Sequence, residues 1–222
     1  MHNSIVSSVL FVIIVFAILS AFSVSISEAQ VTDKDGNEYK TVTIGTQEWT
    51  AENLNVEHYR NGDVIPQVED AAKWAKLTSG AWCYYENKTI NGPSYGKLYN
   101  WYAVNDPRGL APEGWHVPSD SEWTKLTDYL GGAETAGKKM KSTSGWYADG
   151  NGTNSSGFTS FPGGYRNYYG DYYNVGEYGY FWSASESLNN NAWSRSLYFD
   201  YSDVDRDVSI KTDGLSIRCV RD

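Results

Sequence analysis

Between Tyr165 and Tyr180 the chain sets seven tyrosines, Tyr165, Tyr168, Tyr169, Tyr172, Tyr173, Tyr178 and Tyr180, among glycines and asparagines. Tyrosine presents an apolar ring face and a polar tip and freezes few torsions on binding, while Gly and Asn let the backbone display it. Such rings stack on sugar faces or anchor a protein partner. The residues expected to make contact are Tyr165, Arg166, Tyr168, Tyr169, Tyr172, Tyr173 and Tyr178, joined by Trp193 from the following run. The opposing reading is that the rings cover the segment's own interior, since some residues of an alternating stretch must point inward.

A second group follows Asp200: Asp203, Asp205 and Asp207, with Arg206 between the last two. Alternate carboxylates share a face in an extended chain, and oxygen-rich clusters suit Ca²⁺. The spacing lacks the Gly and the distal Glu of a calcium loop, and Arg206 offsets part of the charge. The expectation is a solvated acidic turn and no cofactor, with calcium at Asp203, Asp205 and Asp207 the only candidate ion. His116, between Trp115 and Val117, is expected as a packed, hydrogen-bonded core histidine.

No metalloprotease, nucleophile-elbow, P-loop or dinucleotide motif occurs, so no enzymatic activity is expected. The rival is a secreted polysaccharide-acting enzyme using acids such as Asp171, Glu177 and Asp200, because a glycosidase needs only two carboxylates ~5 to 9.5 Å apart. A third reading is a structural cell-surface component.

The compartment is read from the N-terminus. Residues 5 to 26 carry no charge and consist largely of Val, Ile, Leu and Phe. Ser27-Glu28-Ala29 offers small residues at a cleavage site, so residues 1–29 are expected to be a signal peptide with Gln30 as the new N-terminus. An uncleaved anchor is the alternative, since the run approaches the ~20 residues that span a bilayer. The remaining 30–222 reads as one secreted or cell-surface domain with 18 basic and 26 acidic residues, a formal charge of 18 − 26 = −8. An acidic surface repels phosphate backbones, which argues against nucleic acid, and membrane contact is expected only if the leader is retained. The two cysteines, Cys83 and Cys219, are either one disulfide or two buried thiols.

Stepping along the domain, an N-terminal hairpin is expected around Gly45-Thr46, where polar and apolar residues alternate on both sides. Helical spacing marks 70–77 and 96–104. Ser119 and Glu122 form a capping-box signature for a helix that buries Trp123, Leu126 and Leu130 and ends at Gly131-Gly132. Residues 145–164 read as a long loop pinned by Trp146, Phe158 and Phe161. Strands follow at 180–185, 192–201 and 215–220. The order gives an α+β domain.

The segments QEWTAENLN (47–55), AWCYYEN (81–87), YGKLYNWYAV (95–104), PEGWHVPSDSEW (112–123), GGYRNYYG (163–170), GYFWSAS (179–185) and LSIRCVRD (215–222) together resemble the Fibrobacter succinogenes major paralogous domain. That family is similar to the C-type-lectin-like superfold, shared with formylglycine-generating domains. The resemblance implies a small twisted antiparallel sheet, two main helices and long ordered loops that carry recognition of a glycan or an extracellular protein. Where the lectins hold calcium, this chain departs: Asn189 to Trp193 is the nearest stretch and lacks the acid. The paired active-site cysteines of the formylglycine enzymes are also missing, and Ala111 stands where many family members carry a Cys.

Overall fold

The computed structural model describes residues 29–222. The leader expected at 1–29 therefore lies, but for Ala29, outside the described residues. Among the described residues no helix is long and apolar enough to cross a membrane.

Along the chain come strands β1 (Gln30–Thr32), β2 (Glu38–Ile44) and β3 (Gln47–Thr50), then a short helix α1 (Ala71–Trp74) and strand β4 (Trp82–Cys83). Helix α2 (Gly92–Tyr95), strand β5 (Leu98–Tyr99), helix α3 (Trp101–Val104) and strand β6 (Trp115–His116) follow. Helices α4 (Asp120–Tyr129) and α5 (Ala133–Met140) are consecutive and are the two longest. The chain closes with β7 (Gly163–Arg166), β8 (Tyr172–Val175), β9 (Tyr178–Glu186), β10 (Asn191–Tyr198), β11 (Asp205–Ile210) and β12 (Val220–Arg221).

Two five-stranded sheets result, ordered β1-β2-β3-β12-β6 and β11-β10-β9-β7-β8, beside a β4-β5 pair. The α+β class holds, with two curled sheets in place of the single antiparallel one. The second sheet is mixed, because β7 pairs with β9 in parallel. The β2–β3 hairpin closes on Gly45-Thr46, with Ile44 opposite Gln47 and Gly45 at φ 64°. That positive φ suits Gly in a two-residue hairpin turn.

Local signals fared unequally. The Ser119–Glu122 capping box is present in full at the start of α4. The helical spacing at 96–104 is instead split between β5 and α3, since Leu98 and Tyr99 join Cys83 and Trp82 in a ladder. The helix expected over 70–77 keeps only one turn. Residues 215–220 thread between the sheets rather than forming a strand: Leu215 bridges Tyr99 and Ser216 bridges Phe181, and only Val220 and Arg221 enter a ladder.

The core between α4 and the sheets is aromatic. Trp49 and Trp123 lie 5.0 Å apart, and Trp123 meets Phe158 at 5.8 Å and Phe181 at 5.7 Å. Truncating such a ring costs roughly 3–5 kcal/mol. Around this core the long loops leave carbonyls that no ladder satisfies, and buried cations supply the donors. Arg218 donates to the carbonyls of Thr50, Phe158 and Thr159 and to Asn53 Oδ1. Lys141 holds the carbonyls of Tyr198, Phe199 and Tyr201 at 2.8 to 3.2 Å. Burial pulls the Arg218 guanidinium down to about 9.

Candidate functional site

Strand alternation assembles one outward face on the second sheet. Cross-strand partners share a face: Tyr178 opposes Tyr198, Tyr180 opposes Ser196, Ser196 opposes Asp205 and Ser194 opposes Asp207. Tyr165 on β7 opposes Tyr173 on β8. The rings touch in series, with Tyr165 at 5.8 Å from Tyr173 and 4.8 Å from Tyr180, and Tyr178 at 5.9 Å from Tyr180 and 4.5 Å from Tyr198. The turn after β7 adds Tyr168 and Tyr169, whose rings meet at 4.0 Å, tilted by 41°.

This face is hollowed into a basin of about 450 Å³, lined by Tyr165, Tyr168, Tyr180, Tyr198, Asp207 and Asp213 among others. Asp213 is 8 % exposed. Its Oδ2 accepts the Ile210 N–H at 2.9 Å, while Oδ1 has no hydrogen-bond partner. Burial raises its carboxyl to about 7, opposed only in part by the nearby N–H groups of Ile210 and Tyr168. Asp205 is also pushed up, by burial and then by the charges of Asp203 and Asp207. The hydroxyls are engaged locally: Ser194 Oγ lies 3.0 Å from Ser209 Oγ, and Ser196 Oγ is 3.0 Å from the Tyr198 hydroxyl and 3.2 Å from Asp207 Oδ2.

Of the expected contact residues, Tyr165, Tyr168, Tyr169, Tyr173 and Tyr178 meet on this face. Arg166 does not. It is fully buried, donating to the carbonyls of Val68 (2.6 Å), Glu69 (2.7 Å) and Gly170 (3.0 Å) with its guanidinium over Trp74. Tyr172 turns inward as well, its ring 5.3 Å from Tyr85 and its hydroxyl 2.6 Å from Asn87 Oδ1. Trp193 alternates onto the opposite face of β10, where Arg206 covers its ring at 3.3 Å. Three members of the face lay outside the expected contact set: Tyr180 and Tyr198, which the period of two could have found, and Asp213, for which the sequence holds no signal.

The cysteines correct the disulfide alternative. Cys83 and Cys219 are both buried free thiols, Cys83 packed with Trp74, Tyr85 and Leu98 and Cys219 in the separate cluster of Tyr39, Trp115 and Ile217. Burial raises both, Cys219 to about 12. His116 is hydrogen-bonded as expected but half-exposed, between Asp222 Oδ1 at 2.7 Å and Glu122 Oε1 at 2.9 Å. Asp205 and Asp207 share the basin face and Asp203 precedes the strand; among the described residues no group of three His, Cys, Asp or Glu gathers to hold a metal. Asp171, Glu177 and Asp200 lie on three separate turns, and none lines the basin.

A smaller hollow of about 300 Å³ reaches Asn53 and Arg218. Asn53 there donates to the Tyr95 carbonyl and accepts from Arg218, so its polar groups serve the fold.

Fold and face together define an α+β domain whose second sheet turns a continuous aromatic and acidic surface outward. The chain belongs to the Fibrobacter succinogenes major domain family, which matches residues 42–221. No curated protein and no solved structure matches it.

Proposed function

We propose that this chain is an exported, non-catalytic binding or adhesion module that recognises a glycan or a protein surface through the tyrosine-rich face of its second sheet. The observation that carries the reading is the series of touching rings from Tyr173 through Tyr165, Tyr180 and Tyr178 to Tyr198 around a basin. Aromatic faces in series supply large contact area at little entropic cost. The C-type-lectin-like arrangement belongs to this reading, since the face is built from the late strands and the turns between them. The test is a glycan array together with a cell-surface pull-down, run on the protein and on its Tyr165→Ala, Tyr173→Ala and Tyr178→Ala variants. Binding that these changes abolish without lowering the melting temperature supports the reading; silence in both screens sinks it.

A second reading, a secreted polysaccharide-acting enzyme, draws on Asp213, raised to about 7 by burial, sharing the basin with Asp207. Two carboxyls in unlike environments are the raw material of acid–base cleavage. Release of reducing ends from a glycan panel, lost in Asp213→Asn, decides between the two.

A further inference from the structure

Away from the tyrosine face, two segments distant in sequence run side by side. The Lys97 N–H donates to the Leu54 carbonyl at 3.1 Å. Gly96, at φ 68°, lets them approach so closely that a Cβ there would lie 2.7 Å from the same oxygen. This contact carries the Lys97 side chain onto Asn55. Its Nζ lies 3.0 Å from the Asn55 side-chain Oδ1, one bond from the Cγ carbon, and also donates to the Asn55 main-chain carbonyl. The Glu57 carboxylate stands 3.4 Å from the same Nζ.

Lys97 is 1 % exposed, and the rings of Trp82 and Tyr84 lie 4.5 and 5.0 Å from its Nζ. The other buried lysine, Lys141, shows what a purely structural role looks like. Its Nζ meets the main-chain carbonyls of Tyr198, Phe199 and Tyr201, with no side-chain amide or carboxylate bonded to it among the described residues. At Lys97 an amine, a primary amide and an acid meet instead. Those are the parts of an amide exchange: a nucleophile, an acyl carbon with a nitrogen that can leave, and a group that moves protons between them.

Held together in one fold, an amine and an amide react as parts of one molecule, with effective concentrations that reach ~10⁵ M or more when the atoms are aligned. The step balances without an oxidant or a reductant. The Lys97 ammonium passes a proton to Glu57, and the neutral Nζ attacks Asn55 Cγ. The Nζ–Cγ bond forms and the Cγ–Nδ2 bond breaks. Nδ2 receives that proton and a second one from Nζ, both relayed by Glu57, and leaves as ammonium, so the chain loses one NH₃. Asn55 lines the hollow of about 300 Å³, which opens a way out for the leaving group. The near-complete burial of Lys97 keeps water from reversing the bond.

We infer that Lys97 and Asn55 are the site of an intramolecular isopeptide bond, with Glu57 as its proton relay. The bond ties the residue before β5 to the segment after β3, 42 positions apart. Cys83 and Cys219 make no cross-link, so this amide is a covalent staple of another kind. It stands independently of any ligand at the tyrosine face.

The test is a tryptic peptide map of the purified full chain by mass spectrometry. Trypsin does not cut after an acylated lysine. The expected product is therefore one branched peptide joining 41–60 to 89–108, lighter than the two together by one ammonia, with fragmentation placing the link at Asn55 and Lys97. The Glu57 side chain is half-exposed, so Glu57→Gln keeps the fold, and it is expected to lower the yield of branched peptide about tenfold or more. Asn55→Ala is expected to lack the branched peptide altogether and is read alongside its melting curve. The parent chain needs no variant to decide the matter: linear peptides cut after Lys97 overturn the proposal, and so does a cross-link that fragmentation places elsewhere. A branched peptide formed in equal yield by Glu57→Gln overturns the proton relay assigned to that carboxylate.

Discussion

Replacing Asp213 by Asn tests the site without any ligand. The buried carboxyl is raised from 3.8 to about 7, and at ~1.36 kcal/mol per pKa unit the native state prefers the neutral form by about 4 kcal/mol. The sign follows from proton counting. Between 3.8 and about 7 the folded protein holds a proton that the unfolded chain has released, so stability falls as pH rises through that window, and above it the full cost of the buried charge applies. Asn cannot titrate. It can still accept the Ile210 N–H, but it puts an amide NH₂ where the unpartnered Oδ1 stood, at roughly 1–3 kcal/mol. Asp213→Asn is therefore expected to be less stable than the parent at pH 4.5 and more stable at pH 8, with the difference swinging by about 3 kcal/mol between those two pH values. Urea unfolding followed by tryptophan fluorescence at several pH values measures it. Taking the difference between the two proteins cancels the titration of His116, Asp205 and every other shared group. Asp207 and the tyrosines that line the basin with Asp213 are shared as well. A difference that stays flat across the range refutes the burial assigned to this carboxyl.

Two further outcomes follow from the interior. Arg218→Met keeps the stem and removes donors from three buried carbonyls and Asn53, so a loss of roughly 3 kcal/mol or more in urea unfolding is expected; a loss under ~1 kcal/mol would mean water replaces the guanidinium. Cys83 and Cys219 are expected to resist a thiol reagent in the native protein and to react as two free thiols in denaturant, because burial holds both in the neutral form. Absence of thiol in the denatured, unreduced protein would restore the disulfide.

Legibility in the sequence tracked the range of the interaction. The capping box at Ser119 and Glu122 and the Gly45-Thr46 hairpin rest on neighbours within a few residues, and each is present. The α3 region misled because Leu98 and Tyr99 answer to partners far away in sequence, Cys83, Trp82 and Leu215, which override helical spacing. At the site, the period of two along β9 and β10 was readable and separates Tyr178 and Tyr180 from Phe181, and Ser194 from Trp193. The inward turn of Arg166 and Tyr172 was not readable, since it depends on where Val68, Glu69 and Asn87 arrive. Asp213 was the least visible of all: Ile210, Tyr165 and Tyr168 come to it only in the folded sheet.

The arrangement of cations gives the strongest reason for treating the tyrosine face as a receptor. Long loops connect the elements of the domain and are held by Arg166, Arg218, Lys97 and Lys141, each fully or almost fully buried against carbonyls and each also against a ring. Internal rings such as Trp74, Trp82, Trp101, Trp146 and Phe158 carry a cation, whereas among the described residues Tyr165, Tyr173, Tyr178, Tyr180 and Tyr198 carry none. Solubility does not require that surface, because scattered charged residues would serve it with less exposed aromatic area. Nor does the core require the rings of Tyr173, Tyr178 and Tyr198, although Tyr165 and Tyr180 rest on the core around Trp182 and Leu215. What remains is a run of ring faces from Tyr173 to Tyr198 that neither solubility nor the core accounts for in full, which is the ground for reading it as a binding surface.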